Sequence, residues 1–268
     1  MPTVGIIGIG NMGNAILHGI LDAGYVKAPN LVLYDPKIEI LEKLSREQPS
    51  ITYCDHALEL ARISDVIILA VKPNIVASVI DSISPALKEK TVVSIAAGWT
   101  CSMLRSNLEP HGASYIRVMP NTPALVGEGM TALCSDYTAP EEVFQFVQGI
   151  FDALGRTVIL DEKLFDGVIA ISGSSPAYVY MLIETMAQAG VRYGIPMHTA
   201  IEMSAQAVLG SALMVLSSGN HPAELRDAVC SPAGTTIDAV AALEENGFRS
   251  SLLKAMEACV EKSKKMSK

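Results

Sequence analysis

The amino-acid sequence predicts an α/β protein in which an N-terminal doubly wound parallel sheet is followed by an all-α C-terminal domain. Up to about residue 160, short apolar runs alternate with segments of helical periodicity, which is typical of a parallel sheet covered by helices. From about residue 163 this alternation stops, and long apolar helical segments follow. We therefore predict one domain over residues 1–162 and a second over residues 163–268.

Strands of the first domain are predicted at residues 3–7, 31–34, 66–71, 91–95 and 115–118, with a weak segment near residues 51–54. Helices are expected up to about residue 23 and over residues 38–46, 57–63 and 75–83. In the second domain, helices are predicted over residues 177–191, 199–216, 222–229, 236–245 and 250–265. The first of these is apolar on almost every face, so we expect a partner subunit to bury it and the protein to be at least a dimer.

Composition and charge exclude several classes of protein. The chain has 268 residues, of which 50% are hydrophobic, so it can bury a sizeable core and disorder is not expected. The net charge is −8, and a nucleic-acid partner is not expected because no basic face is present. The longest uninterrupted apolar stretch, residues 177–183, is too short to cross a bilayer, so no membrane partner is expected.

Cysteine usage predicts a reducing compartment. Five cysteines are scattered along the chain without a CxxC pair, which argues against a disulfide framework and against a zinc site. No charged segment followed by a signal-type apolar region precedes the first strand. We therefore expect a cytoplasmic protein.

A glycine-rich turn directly after the first predicted strand is the strongest functional signal. This glycine turn consists of Gly8, Ile9, Gly10, Asn11, Met12 and Gly13. Gly8 permits the tight turn, Gly10 lets backbone N–H groups approach a pyrophosphate, and Gly13 lets the following helix pack close to the strand. The helix N-terminus adds unpaired N–H donors and partial positive charge. A Rossmann-type dinucleotide site is therefore predicted.

Further residues of this site are expected at the carboxyl ends of the strands, where doubly wound sheets bind their ligands. Asp35 ends the second strand, roughly twenty residues after the glycine turn, where a ribose-binding carboxylate is expected. Two more strand ends supply the candidates Ala70, Val71, Lys72, Pro73, Ala96 and Ala97. Whether Lys72 contacts phosphate, substrate or only solvent is left open by the sequence. Residues 119–123 form another such strand end.

A serine nucleophile is considered at residues 172–177, which read SGSSPA. The segment lacks the GxSxG pattern, and no motif places a histidine–aspartate pair. We favour an ordinary helix start with Pro176 in its first turn. The five histidines are isolated, and no cluster has metal-ligand spacing, so no metal site is expected.

The 231–236 segment, which reads SPAGTT, directly precedes a predicted helix. Bare N–H donors at a helix start suit a carboxylate, and the hydroxyls of Ser231, Thr235 and Thr236 add adaptable donors. Ordinary helix capping by serine or threonine explains the same residues. On composition alone, capping is the favoured interpretation.

Several segments taken together resemble the pyrroline-5-carboxylate reductase family. The matching motifs span nearly the whole chain: GIIGIGNMGNAI, DVIILAVKP, SIAAG, RVMPNTPALVGEGMTAL, ISGSSPAYVYMLIE, AQAVLGSA and HPAELRDAVCSPAGTTIDAVAALEENGFRSSL. The last block is the family's most distinctive signature. It shifts the interpretation of the 231–236 segment from a helix cap to a binding site.

The resemblance implies an activity and a site. The family transfers a hydride from NADPH or NADH to the carbon of a cyclic imine, 1-pyrroline-5-carboxylate, and so forms L-proline. Carried over by position, the substrate-binding residues are Ser231, Gly234, Thr235 and Thr236. Thr236 is the implied catalytic residue, with its hydroxyl at the imine nitrogen. The nicotinamide side of the cleft is implied to be lined by Lys72, Pro73, Ala96 and Ala97.

The resemblance also implies an assembly. The family carries an N-terminal Rossmann domain and a C-terminal helical domain that interlocks with a partner subunit. Each active site is therefore shared across a dimer, and larger rings built from dimers are known in the family.

Two departures from the family pattern bear on these expectations. Ala233 replaces the first glycine of the usual Ser-Pro-Gly-Gly signature, so this position must tolerate a side chain. Many relatives carry a small hydroxyl residue where this chain has Asp35, whose charge accepts a ribose hydroxyl and repels a 2′-phosphate. Lys37 lies close enough in sequence to offset that repulsion. NADPH is therefore disfavoured relative to NADH without being excluded.

Two alternative functions share the glycine turn. A β-hydroxyacid dehydrogenase needs a catalytic lysine in the first helix of its second domain, and residues 174–193 contain none. A non-catalytic dinucleotide-binding protein would bind the cofactor without turnover. The intact 231–236 segment argues against this second alternative.

Overall fold

The computed structural model describes residues 1–266, which divide into two compact units. The first unit comprises Met1–Ser174 together with the described residues from Cys259 onward, and the second comprises Ser175–Ala258. This division follows the contacts within the chain, and it assigns the C-terminal part of the last helix to the first unit. The boundary between residues 162 and 163 remains a prediction about domain organisation.

One eight-stranded sheet forms the centre of the first unit. Its strands in chain order are β1 (Val4–Ile7), β2 (Leu31–Tyr34), β3 (Thr52–Tyr53), β4 (Val66–Leu69), β5 (Thr91–Ser94), β6 (Ser114–Met119), β7 (Gly129–Cys134) and β8 (Gly155–Leu160). They lie side by side in the order β3-β2-β1-β4-β5-β6-β7-β8. The first six pair in parallel, in the order found in dinucleotide-binding doubly wound folds. The predicted fold class is confirmed.

Seven helices accompany these strands in the described part of the first unit. They are α1 (Asn11–Asp22), α2 (Ile38–Glu47), α3 (Ala57–Ile63), α4 (Val76–Ile83), α5 (Cys101–Leu108), α6 (Glu141–Asp152) and the one-turn α7 (Phe165–Val168). Side chains of the central strands alternate between two core layers. Val66 and Ile68 face the layer that contains α1 and α6, whereas Ile67 and Leu69 face the layer of α3, α4 and α5. Burial on both faces explains why β4 is almost entirely apolar.

Strands β7 and β8 are the part of the sheet that the sequence pattern did not reveal. Strand β7 runs antiparallel to β6, and β8 pairs in parallel with β7. Each begins with a glycine, and these two glycines, Gly129 and Gly155, are paired. A side chain on Gly155 would overlap the backbone of Gly129. Glycine weakens the strand signal in a sequence while permitting this close approach.

The second unit is helical throughout its ordered elements. Its helices are α8 (Ser175–Arg192), α9 (Met197–Ser218), α10 (Pro222–Ala228), α11 (Thr235–Glu245) and the beginning of α12 (Phe248–Met266). Helices α8 and α9 pack on each other through small residues, among them Ala187, Gly190 and Ala200. All five helices lie within a few residues of their predicted positions.

Large apolar side chains remain exposed on the second unit. Tyr180 is 60% exposed, and Met181 and Leu253 are each 67% exposed. Many others on α8, α9 and α12 are also exposed, including Met203, Leu213 and Leu252. So many exposed large apolar side chains on one helical unit mark a contact with another molecule.

Helix α9 is longer and more apolar than the uninterrupted apolar runs of the sequence indicated. Among the described residues it is the one helix whose length and mean hydropathy of 1.4 would allow it to cross a membrane. Small polar residues such as Ser204 and Ser211 divide its apolar positions into short runs. A helix that another subunit covers has the same composition.

An ion pair between a buried arginine and a half-buried glutamate joins β6 to the segment after β8. The side chain of Arg117 is 5% exposed, and its Nη1 donates to Glu162 Oε1 at 2.5 Å. The same oxygen accepts the backbone N–H of Cys101 at 2.5 Å, at the start of α5. The guanidinium carbon also lies 4.5 Å from the ring centre of Phe165. Burial alone would raise the pKa of Glu162, but the hydrogen bonds from Cys101 and the charge of Arg117 hold that pKa below its usual value.

We expect Glu162→Gln to lower the free energy of unfolding by about 3 kcal/mol, because it leaves the Arg117 charge buried without a counter-ion. The Glu162 pKa is depressed on folding, so this stabilisation is present at neutral pH and is lost as the pH falls through that depressed value. Urea unfolding of wild type and variant at pH 7 measures the difference. The control is Glu47→Gln, which removes an exposed 4.0 Å pair with Lys43 and should change stability by less than about 0.5 kcal/mol. If both substitutions lowered the free energy of unfolding equally, the stabilising role of the Arg117–Glu162 pair would be contradicted.

Candidate active site

The glycine turn lies at the carboxyl end of β1, pressed against the end of β4. Gly8 has a φ of 96°, and a Cβ atom there would lie 2.7 Å from the carbonyl oxygen of Ala70. A Cβ atom on Gly13 would overlap the carbonyl oxygen of Gly8. These two positions require glycine, as the spacing of the motif predicted.

Gly10 is different, because its α-carbon faces open space. No heavy atom lies within 4 Å of the position that its Cβ would take. Gly10 is also the N-cap of α1, and no side chain caps this helix start. The glycine turn and the first turn of α1 together form a cradle for a dinucleotide. This cradle fits a pyrophosphate, whose oxygens would accept hydrogen bonds from the free N–H groups of the first turn. Of the neighbouring residues, Asn11 is exposed, whereas Ile9 is buried and Met12 packs against the core.

Asp35 lies next to this cradle, as predicted, and is hydrogen-bonded to it. Its Oδ2 accepts the backbone N–H of Ile9 at 2.7 Å, and its Oδ1 accepts the backbone N–H of Lys37 at 2.9 Å. The carboxylate thus connects the glycine turn to the segment that leads into α2. Its position after β2 is that of a ribose-binding carboxylate.

The loops after β4 and β5 lie at the same edge of the sheet. In the β4–α4 loop (residues 70–75), Ala70 and Val71 are half-buried, and Pro73 begins a single helical turn. In the β5–α5 loop (residues 95–100), Ala96 is buried and Ala97 is half-buried. The exposed side chain of Lys72 forms no salt bridge with any described residue, so its role stays a prediction.

Two side chains with structural hydrogen bonds, Trp99 and Asn121, were not among the predicted site residues. The indole N–H of Trp99 donates to the carbonyl oxygen of Pro73 at 2.9 Å and so joins the two loops. The buried amide of Asn121 accepts the N–H of Met130 at 2.9 Å and donates to the carbonyl oxygen of Ser172 at 3.0 Å. The sequence does offer one signal, since Trp99 is the chain's single tryptophan and directly follows a predicted site segment.

Ser172 has a structural role in the fold. It lies in a wide π-helical turn, Ile169–Gly173, and its hydroxyl donates to the carbonyl oxygen of Val168 at 3.1 Å. Helix α8 then begins at Ser175, with Pro176 in its first turn. This arrangement agrees with the helix-start interpretation of residues 172–177.

The 231–236 segment forms a tight turn at the start of α11 in the second unit. The carbonyl oxygen of Ser231 accepts the N–H of Gly234 at 3.0 Å. Ala233 has a φ of 58°, so it occupies the left-handed region that its glycine counterpart in the family adopts more easily. Gly234 is the N-cap of α11, and Thr235 and Thr236 are the first two helical residues. The side-chain capping that composition alone favoured is therefore absent, and the helix start is bare apart from its hydroxyls.

One group of possible metal ligands occurs among the described residues. Cys101, Asp136 and Glu162 bring one ligand atom each to within 4.8 Å of one another. Both carboxylates already pair with arginine: Asp136 Oδ1 lies 3.0 Å from Arg105 Nη2, and Glu162 binds Arg117. We assign no metal to this group, because two arginine charges oppose a cation there.

Two family models match the chain. The model described as pyrroline-5-carboxylate reductase dimerisation matches residues 162–266, which include helices α8 to α12. The model described as NADP oxidoreductase, coenzyme F420-dependent, matches residues 3–98, which include the glycine turn.

Similar proteins match over the full length of the chain. The pyrroline-5-carboxylate reductase of Escherichia coli (strain K12) is 46% identical over 266 residues, which is 99% of this chain and 98% of that protein. The crystal structure of Plasmodium falciparum pyrroline carboxylate reductase with NADP bound has a TM-score of 0.89 and 36% identity, covering 100% of this chain and 98% of that one. The pyrroline-5-carboxylate reductase structure from Coxiella burnetii has a TM-score of 0.90 and 30% identity, covering 100% of this chain and 99% of that one. The family that the motifs predicted is confirmed: this chain belongs to the pyrroline-5-carboxylate reductase family.

Proposed function

We propose that this protein reduces 1-pyrroline-5-carboxylate to L-proline with NADPH or NADH, the last step of proline biosynthesis. The observation that carries the proposal is the bare start of α11, with Gly234 as its N-cap, in a chain whose first unit holds a dinucleotide cradle. The pyrroline-5-carboxylate reductase of Escherichia coli matches 99% of this chain, which supports the assignment.

We infer that the first unit holds the nicotinamide cofactor. The glycine turn binds the pyrophosphate, Asp35 binds the adenosine ribose, and the β4–α4 and β5–α5 loops line the nicotinamide. When bound, the cofactor supplies the hydride, so the protein's task is position and electrostatics. The hydrogen bond from Trp99 to Pro73 holds the two loops in one arrangement, which keeps that position constant.

The 231–236 segment supplies the groups for the substrate. The N–H groups at the start of α11 bind the carboxylate, supported by the partial positive charge of the helix N-terminus. The Thr236 hydroxyl lies at the ring nitrogen. A protonated imine is already electrophilic, and its nitrogen becomes a more basic amine as hydride arrives. A hydroxyl at this nitrogen therefore stabilises the product-like transition state without a histidine or a metal.

Self-association is the role of the helical part of the chain. The family model for residues 162–266 names dimerisation, and the apolar side chains exposed on α8, α9 and α12 supply the surface. We propose that a dimer completes each active site and that a ring of dimers is the larger assembly. We propose further that the apolar face of α9 contacts a subunit and not a membrane, that no nucleic acid binds, and that the protein is cytoplasmic. The five free thiols support a reducing compartment.

The assay that tests the function uses purified protein with 1-pyrroline-5-carboxylate and either NADH or NADPH. We expect loss of nicotinamide absorbance together with formation of proline. A 3-hydroxy acid with oxidised cofactor is the counter-assay, because a β-hydroxyacid dehydrogenase would respond to it. Absence of turnover with the imine, or turnover with the hydroxy acid alone, would refute the proposal.

We expect Asp35→Asn to raise the ratio of kcat/KM for NADPH to that for NADH by roughly tenfold to a hundredfold. The substitution removes a negative charge beside the 2′ position, and such a pair in a partly solvated cleft is worth about 1–3 kcal/mol. Asparagine keeps an oxygen for the N–H of Ile9, whereas Asp35→Ser would also shorten the side chain. The control Asp22→Asn removes the same charge from an exposed position at the end of α1 and should leave the ratio unchanged. An unaltered ratio for Asp35→Asn would mean that the ribose binds elsewhere.

Thr236→Ala is expected to lower kcat by about tenfold to a hundredfold, since a hydrogen bond to a charged group is worth roughly 1.5–3 kcal/mol. Because this contact is expected to strengthen in the transition state, Thr236→Ala should lower kcat by a larger factor than it weakens substrate binding. Thr236→Ser keeps the hydroxyl and should recover most of the rate. Since Gly234 is the N-cap of α11, the thermal midpoint should change little. A normal rate combined with a lowered midpoint would remove Thr236 from the catalytic assignment.

Ala233→Gly is expected to raise the free energy of unfolding by about 1 kcal/mol. The left-handed conformation costs an L-residue roughly 1–2 kcal/mol, and the greater freedom of glycine in the unfolded chain offsets part of that gain. Ala239→Gly, inside α11, is the control and should destabilise by about 1 kcal/mol. Chemical unfolding of both variants gives the comparison, and destabilisation by Ala233→Gly would contradict the strained turn.

A further inference from the structure

We propose that Cys101 and Cys134 form a redox-sensitive pair, which a peroxide converts to a disulfide, and that this disulfide displaces the β5–α5 loop and lowers the enzyme's use of its cofactor. The disulfide itself does not depend on the proposed reductase activity. The effect on cofactor use rests on the proposed function, because it assumes that the β5–α5 loop contacts nicotinamide.

The two sulfur atoms are already in contact. Their separation is 3.5 Å, and the residues are 1% and 0% exposed. Cys101 is the first residue of α5, and Cys134 is the last residue of β7, so residues 33 apart in sequence meet at one edge of the sheet. Among the described residues they are the one pair of cysteines in sulfur contact, since the other free thiols, Cys54, Cys230 and Cys259, have no sulfur partner there.

The polar surroundings give the two thiols different roles. The S–H of Cys101 lies within hydrogen-bonding distance of the Cys134 sulfur, at 3.5 Å, and of the Asp136 carbonyl oxygen, at 3.4 Å. The hydrogen bond from Cys101 lowers the pKa of Cys134 although burial opposes it, and a backbone hydrogen bond at Asp136 and the charge of Arg117 act in the same direction. The same hydrogen bond, burial and the carboxylate of Glu162 raise the pKa of Cys101. Cys134 is therefore the thiol that more readily becomes the attacking thiolate, and Cys101 is placed to resolve the product.

The reaction is balanced with one peroxide per pair. The Cys134 thiolate attacks a peroxide oxygen, the O–O bond breaks, and Cys134 becomes a sulfenic acid while hydroxide leaves and is protonated to water. The sulfur of Cys101 then attacks the sulfenic sulfur, the S–S bond forms, and a second water leaves with the Cys101 proton. Two thiols and hydrogen peroxide thus give one disulfide and two waters. A dithiol reductant reverses the modification by exchange.

In the proposed reaction, the start of α5 takes up the movement that brings the two sulfurs together. A disulfide has a sulfur–sulfur distance of about 2.05 Å, so the two sulfurs must approach by about 1.5 Å. Cys134 is held within the sheet by its pairing with Leu160 in β8. Cys101, by contrast, follows directly on Thr100, the N-cap of α5, at the end of the β5–α5 loop. The shift therefore reaches the loop through its last residue, and through Trp99 it reaches Pro73 of the β4–α4 loop.

The experiment treats the full-length protein with hydrogen peroxide and then blocks the remaining thiols. Mass spectrometry of the digested protein should find the Cys101 and Cys134 peptides joined, with the loss of two hydrogens, and dithiothreitol should separate them. Steady-state assays of the same samples should show kcat/KM for NADPH or NADH reduced about tenfold, because a displacement of ~1 Å in a positioning segment can cost up to roughly a hundredfold. Dithiothreitol should restore the rate.

Cys101→Ser and Cys134→Ser test the assignment independently, so that failure of one variant to fold leaves the other. Each should lose the joined peptide and the reversible inhibition. Cys54→Ala removes a buried thiol without a sulfur partner and should stay as sensitive as wild type. Absence of the joined peptide in wild type would overturn the proposal, as would a joined peptide with unchanged kcat/KM. If the protein has no reductase activity at all, the joined peptide still tests the disulfide, and loss of NADPH binding on oxidation replaces the rate.

Discussion

The close approach of the glycine turn to the end of β4 is the constraint on which the dinucleotide cradle depends. Gly8 lies against the carbonyl of Ala70, and Gly13 lies against the carbonyl of Gly8, so neither position has room for a Cβ atom. This contact brings the start of α1 to the sheet edge with its first N–H groups facing open space. The carboxylate of Asp35 then connects the turn to the neighbouring strand end. The other cofactor contacts that we propose come from the carboxyl ends of β2, β4 and β5, which lie at the same edge of the sheet.

A second constraint acts on the helical part of the chain. Helices α8 and α9 can bury small residues such as Ala187 and Ala200 against each other, but their larger apolar side chains remain exposed in the single chain. Free energy is gained when another subunit covers that surface, since apolar burial is worth about 25 cal/mol per Å². The apolar composition of these helices therefore favours association with another subunit. The same helices lie within residues 162–266, which match the family's dimerisation model.

The region around β6, β7 and the start of α5 contains both an ion pair and a pair of cysteines, close in sequence to the proposed nicotinamide loops. Arg117 is largely withdrawn from water, so its charge depends on the half-buried carboxylate of Glu162. Glu162 also accepts the backbone N–H of Cys101 and so joins the start of α5 to the segment after β8. A modification at Cys101 therefore acts on the helix start that this hydrogen bond positions.

The sequence by itself determined helices α1 to α4, the five helices of the second unit, the parallel core strands, the glycine turn and the 231–236 segment, whereas α5, α6 and α7 were not predicted. The predicted elements depend on local signals: apolar periodicity, β-branched runs and the spacing of glycines within one short segment. The role of Gly234 as the N-cap of α11 was open, because capping and ligand binding use the same residue types.

Only the tertiary structure decided the rest. It alone placed β7 and β8, the hydrogen bond from Trp99 to Pro73, and the contact between Cys101 and Cys134. The partners in these contacts are tens of residues apart, and nothing in either local segment specifies the other. Their meeting depends on the order of the strands and on which groups are left unpaired when the sheet and its helices close over the core.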